Sequence, residues 1–237
     1  METKTAILID GGFYRKRARS LFGVKTAEER ANEIWKYCAL HLRDGVRDGK
    51  GCERSLYRVF YYDCPPLDIN IFHPLTKNNV DLKKNETFAW TNAFFKALLA
   101  KRKFALRLGR LANYGHGYRI DPDVVKKLCA KTMSVDDLTE EHFNIATEQK
   151  GVDMKIGIDI VHLAYKRLVT QIILISGDSD FVPAAKLARR EGIDFILDPM
   201  RSHISDDLLA HVDGLYSHWN DKRITPHTTD FKTNDNE

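Results

Sequence analysis

Carboxylates recur in this 237-residue chain where apolar runs break off. Ala6-Ile7-Leu8-Ile9 stops at Asp10, before Gly11-Gly12. Leu56 to Tyr62 stops at Asp63. Ile172-Ile173-Leu174-Ile175 stops at Ser176-Gly177-Asp178-Ser179-Asp180, and a further acid, Asp153, follows Lys150-Gly151-Val152. Clustered carboxylates raise one another's pKa unless a cation shares them. The hard ions Mg²⁺ and Mn²⁺ prefer such oxygen donors together with water. Between acids, an ion of this kind orients a water, lowers its pKa and neutralises charge on a phosphodiester. Glycines beside the acids permit a close approach of backbone or substrate. Taken singly, each aspartate also suits a turn or a helix N-cap, Asp180 and Asp153 especially. Their joint placement is what points to metal.

Acids at strand ends meet only if the strands run parallel in one sheet, because ligands of open α/β sheets bind beyond the carboxyl ends. The runs over 6–9 and 171–175 suit strands buried on both faces. Further strands are predicted over 56–62, 104–111 and 194–197. The apolar spacing predicts helices over 28–42, 86–100, 153–168 and 181–191, the last closed by Gly192. Residues 113–117 read as a loop, and 121–131 as a short helix opened by Pro122. Residues 132–149 read as a flap or small helices, and 204–212 as another short helix. This alternation predicts an α/β fold: a three-layer α/β/α sandwich around a central, mostly parallel sheet. One domain is expected over 1–224, with an elaborated middle segment at about 64–149. A polar tail is expected over 225–237.

Composition narrows the class. Hydrophobic residues make up 43% and the net charge is +4, which excludes a disordered chain. No stretch approaches the ~18 apolar residues of a membrane span. Met1-Glu2-Thr3-Lys4 runs straight into an apolar strand without a secretory core, so a cytoplasmic protein is expected. Cys38, Cys52, Cys64 and Cys129 form no C-x-x-C pair and read as reduced thiols. The charge is uneven: residues 1–150 hold 27 basic and 19 acidic side chains, and residues 151–237 hold 10 and 14. A basic half suits a polyanion and an acidic half suits metal. The chain lacks the G-x-G-x-x-G of a dinucleotide fold and the P-loop signature. It also lacks H-E-x-x-H and G-x-S-x-G. A haloacid-dehalogenase-like phosphatase would want a second Asp at position 12, where Gly12 stands.

Four segments together resemble the NYN domain family, in its LabA-like branch of the PIN-like nuclease superfamily. They are Ile7-Leu8-Ile9-Asp10-Gly11-Gly12-Phe13, Tyr61-Tyr62-Asp63, Lys150-Gly151-Val152-Asp153 and Ser176-Gly177-Asp178-Ser179-Asp180-Phe181-Val182-Pro183. The resemblance spans roughly residues 4–200 and is loose in the middle. It implies a PIN-like fold and cleavage of RNA dependent on Mg²⁺ or Mn²⁺. Asp10, Asp153, Asp178 and Asp180 match the acidic metal pocket and are the expected catalytic residues. Asp63 matches a rim position, and Ser176 a small hydroxyl that bonds a carboxylate or water. Many members carry Asn where this chain has Phe13, which removes one polar contact. Asp159 lies six residues after Asp153, about 120° around a helix, and is expected in a supporting role. His162 is a surface or core histidine by default.

Single-stranded RNA binding calls for phosphate contacts and stacking surfaces. Arg15, Arg17 and Arg19 follow the first acidic loop, beside Lys16, and Lys150 precedes Asp153. These are the candidate RNA-binding residues. The runs 101–103 with Arg107 and Arg110, and Tyr114 to Arg119, are weaker candidates that also fit solvated surface. The leading expectation is a metal-dependent ribonuclease. The alternative is a non-catalytic RNA-binding or regulatory module that keeps the acidic pocket. Self-association is compatible with the aromatic content, and the sequence identifies no surface for it.

Overall fold

Side chains alternate between the two faces of a strand, so a strand covered on both faces reads as an unbroken apolar run. That is the pattern at the centre of this molecule. The computed structural model describes residues 3–47 and 54–218. Cys52 and the tail over 225–237 lie outside the described residues.

The chain begins with strand β1 (Thr3–Asp10), which passes directly into helix α1 (Gly11–Phe22). Helix α2 (Ala27–Arg47) leads to β2 (Arg54–Asp63). A small hairpin, β3 (Asn70–Phe72) with β4 (Asn79–Asp81), precedes α3 (Glu86–Leu99) and β5 (Phe104–Leu108). Then come β6 (Arg110–Ile120), α4 (Pro122–Cys129) and β7 (Phe143–Lys150). The last third holds α5 (Val152–Tyr165), β8 (Gln171–Ile175), α6 (Val182–Arg190), β9 (Asp194–Asp198), α7 (Asp206–Leu209) and β10 (Gly214–Leu215).

Six strands form one sheet in the order β10-β9-β8-β1-β2-β5, and every pairing in it is parallel. One face carries Ala6, Leu8, Tyr62, Ile172, Leu174, Phe195 and Leu197 against α5 and α6. The other carries Ile7, Ile9, Val59, Tyr61, Ile173 and Ile175 against α1, α2 and α3. The result is the expected three-layer α/β/α sandwich. Cys38, Cys64 and Cys129 are free thiols. No helix among the described residues is long and apolar enough to cross a membrane.

Three segments depart from the sequence expectation. The strand expected over 104–111 is two strands broken at Gly109. A Cβ on Gly109 would stand 2.6 Å from the Lys150 carbonyl oxygen, so the chain turns there under steric constraint. The expected loop over 113–117 lies within β6, which bulges between Asn113 and Tyr118 as it pairs with β7. The expected flap over 132–149 consists of two single helical turns, at Val135–Asp137 and Glu140–His142, followed by β7. Strand β7 is only partly buried and contains Glu148, Gln149 and Lys150, so it shows no apolar run.

Candidate functional site

Strand β1 is the hinge of the topology. From it the chain moves toward β2 and β5 on one side, while β8, β9 and β10 stack on the other. After β1 the chain crosses to the layer of α1, and α6, after β8, packs on the opposite layer. A crevice opens where such connections diverge, beyond the carboxyl ends of the strands. Asp10 ends β1 on one side of it. Ser176 follows β8 on the other.

Close packing holds the two rims. A Cβ on Gly11 would lie 2.5 Å from the Tyr62 carbonyl oxygen and 2.7 Å from the Tyr61 ring, so only glycine lets α1 start this close to β2. On the facing loop, a Cβ on Gly177 would meet the Phe13 ring at 2.9 Å. Phe13, which replaces a polar residue common in the resembled family, thus packs across the crevice onto the Asp178 loop.

Asp10 is part-buried. Its Oδ1 accepts the Phe13 N–H at 3.0 Å, the N-cap of α1, and its Oδ2 accepts from Ser176 Oγ at 3.4 Å. Ser176 Oγ in turn accepts the Asp178 N–H at 3.3 Å. Burial, reinforced by the charges of Asp153 and Asp63 and opposed by the Phe13 and Ser176 bonds, pushes the Asp10 carboxyl up to about 6. Burial followed by repulsion from Asp178 and Asp180 raises the carboxyl of Asp153 as well. The four expected metal ligands therefore lie within electrostatic reach of their neighbours. Asp178 Oδ1 caps a single helical turn by accepting the Asp180 N–H at 3.0 Å. The cap is thus Asp178 rather than Asp180. Asp153 sits in the first turn of α5 behind Gly151 (φ 78°), which leaves its side chain without a capping role.

Among the described residues, no three or more His, Cys, Asp or Glu side chains stand close enough to form a ready cage for an ion. The donor chemistry still suits a hard divalent cation. Mg²⁺ keeps several waters and needs only one or two carboxylates. A carboxyl raised by burial and by like charges is one that a cation would relieve.

The supporting acids are committed elsewhere. Asp63 is fully buried and accepts from Arg15 Nη2 at 2.9 Å, from the Cys64 N–H at 2.8 Å and from the Tyr61 hydroxyl at 3.2 Å. Burial raises its pKa, and Arg15 opposes the rise. Asp159 accepts from the Tyr62 hydroxyl at 2.8 Å and from Arg107 Nε at 3.2 Å, which ties α5 to β2 and β5. His162 is exposed on α5.

The basic candidates divide. Arg15 stands beside the acids through Asp63, and Arg19 is exposed one turn further along α1. Arg17 donates through Nε and Nη2 to the Met200 carbonyl, at 3.1 and 2.8 Å, and pins the chain after β9. Lys150 pairs with Glu148 at 2.6 Å. Residues 101–103 precede β5, which places them at the opposite edge of the sheet from the acids. Tyr118 packs on His73, with ring centroids 4.4 Å apart. The side chains of Tyr114 and His116 lie outside the described residues.

One neighbour of the site was not anticipated. A Cβ on Gly12 would lie 3.3 Å from the amide of Gln149 and 3.5 Å from Asp10 Oδ1, so the end of β7 brings a polar side chain to the crevice. The only signal for it in the sequence is its position just before Lys150-Gly151-Val152-Asp153.

The model of the NYN domain family matches residues 102–218 of the chain. This is a family of nuclease-like domains with the PIN-like fold. The matched stretch includes Asp153, Asp178 and Asp180 and stops short of Asp10 and Asp63. No curated protein matches the chain. Among solved structures, a Vibrio parahaemolyticus protein of unknown function is similar, at 15% identity and a TM-score of 0.45 over 91% of this chain and 93% of that one.

Proposed function

We propose that this protein is a metal-dependent ribonuclease that hydrolyses RNA phosphodiester bonds at the carboxylate crevice between β1 and β8. The observation that carries the reading is Asp10, raised to about 6 at the topological switch point and coupled to Asp153, while Asp153 is coupled to Asp178 and Asp180. We take residues 1–224 as one domain of the LabA-like branch.

Asp10, Asp153, Asp178 and Asp180 would hold Mg²⁺ or Mn²⁺, directly or through its waters. When bound there, such an ion would supply an acidified water and would neutralise charge on the phosphodiester. The chain's own groups fix the donors. The Phe13 N–H and Ser176 hydroxyl hold the two oxygens of Asp10, and the Asp178 N–H orients that hydroxyl. Fixed donors of this kind need not reorganise as charge develops. Water oxygen bonds to phosphorus, the bond to the 3′ oxygen breaks and a proton ends on that oxygen. The products are a 3′-hydroxyl and a 5′-phosphate.

A second reading, a non-catalytic RNA-binding or regulatory module, is favoured by one observation: the described carboxylates form no ready cage. Incubation of the purified full-length chain with single-stranded RNA, in Mg²⁺ or Mn²⁺ and in chelator, separates the two. Metal-dependent cleavage supports the enzyme. RNA binding without turnover in either metal supports the module.

A further inference from the structure

Another feature opens at the same edge of the sheet, beyond Arg15. Helix α3 precedes β5 and packs against a parallel sheet, so its first turn stands at the carboxyl edge where Asp10 and Asp63 lie. Between that turn and α1 runs a groove of about 320 Å³, whose walls include Arg15, Arg19, Lys25, Arg30, Glu86 and Trp90.

The groove is cationic. Four basic side chains line it, with three carboxylates near them. Asp63 takes Nη2 of Arg15. Buried Glu33 takes both Lys25 and Arg30, each at 2.6 Å, and Glu86 lies on the wall. Exposed Arg19 enters no ion pair among the described residues. Arg15 Nε is buried without a hydrogen-bond partner, while the rest of the side chain stays part-exposed on the groove wall. The positive end of the 14-residue helix α3 adds to the field. Trp90 is fixed by its indole N–H, which donates to the Lys25 carbonyl at 3.1 Å, and by stacking on Phe94 at 5.0 Å. Trp90 is part-exposed.

We propose that this groove binds a phosphate of single-stranded RNA, a short way along the strand from the bond held at the carboxylate crevice, with Trp90 receiving a neighbouring base. The proposal rests on the ribonuclease reading above. Arg15 is the physical link, since its guanidinium grips Asp63, whose charge acts on Asp10. A groove of about 320 Å³ has room for a single nucleotide unit. Cation contacts to phosphate with an aromatic platform are the usual means of holding single strands.

The test is fluorescence anisotropy of a labelled single-stranded RNA oligonucleotide with the full-length chain, in chelator to prevent hydrolysis, across a salt series. Arg19→Gln and Thr87→Glu alter exposed positions on the two walls. Each is expected to weaken binding by about 3- to 10-fold, and Arg19→Gln to reduce the salt slope by about one. Wild-type affinity and slope in both variants would overturn the proposal. So would equally tight binding of inorganic phosphate or of an RNA duplex. Loss of binding in these variants, with no cleavage by the wild type in Mg²⁺ or Mn²⁺, would keep the groove and discard the ribonuclease reading.

Discussion

Asp10 carries an unusual burden for a residue of its type. Its folded pKa of about 6 stands above the ordinary 3.8, so the fold favours its protonated form. The sign follows from linkage. Below pH 3.8 the carboxyl is protonated in both states and costs nothing. Between pH 3.8 and 6 the unfolded chain loses the proton first and stability falls, and above 6 the loss is complete. In chelator, Asp10→Asn, which keeps a good N-cap, is expected to be more stable than wild type at pH 7.5 by about 1–3 kcal/mol. The two should be equal near pH 3.5. Thermal melts at both pH values check this, and an Asn variant less stable at pH 7.5 would refute it. At Asp63 burial raises the carboxyl too, but the Arg15 guanidinium opposes the rise. Arg15→Met leaves that carboxylate unpaired and is expected to cost about 2–4 kcal/mol in urea denaturation, with part regained in Arg15→Met/Asp63→Asn. The sequence identified Asp10 because an acid directly ends an apolar run. It could not separate Arg15 from Arg17, because the carbonyl that occupies Arg17 is that of Met200, far along the chain.

The elements that position the acids were legible to different degrees, for a physical reason. Strands β1 and β8 are buried on both faces, so their burial is written as continuous apolar runs. Strands β6 and β7 pair chiefly with each other and are largely part-exposed, so backbone pairing rather than side-chain type defines them. Period and hydropathy do not report such a hairpin. For that reason Gln149, at its end, escaped notice. The glycine that opens α1 was visible as a break, whereas its contact with Tyr61 and Tyr62 was not. Gly11→Ala is expected to displace α1 or β2 and to cost about 1–3 kcal/mol or more. A Tm unchanged from wild type would show that the approach is looser than described. Gln149→Ala changes an exposed side chain and is expected to leave the Tm within about 1 °C while lowering cleavage, since its amide and Asp10 Oδ1 both stand by Gly12.

At the scale of the molecule, the acidic and basic halves of the chain do not separate in space. Strand β1 of the basic half lies between β2 and β8, and β8 belongs to the acidic half. The carboxylate edge therefore draws on both halves, and its approach is balanced locally by Arg15 and Arg19. Away from the site, Asp198 closes the structure. It accepts from the Tyr37 hydroxyl at 2.5 Å and the Ser217 hydroxyl at 2.8 Å. It accepts the Met200 N–H at 2.8 Å and stands 2.8 Å from His41 Nε2. This fully buried carboxylate ties α2, β9 and the segment after β10 together, so Asp198→Ala is expected to cost about 3–5 kcal/mol in chemical denaturation. A loss below 1 kcal/mol would show that the network is dispensable. The proposed ribonuclease reaction takes place in the crevice between β1 and β8. Its most direct test is RNA cleavage in Mg²⁺ and Mn²⁺ by wild type, Asp10→Asn and Asp178→Asn, with folding checked by circular dichroism. Wild type is expected to cleave RNA in a reaction that chelator abolishes, with a loss of about 100-fold or more in both folded variants. Cleavage that survives chelator, or wild-type rates in both variants, would contradict it.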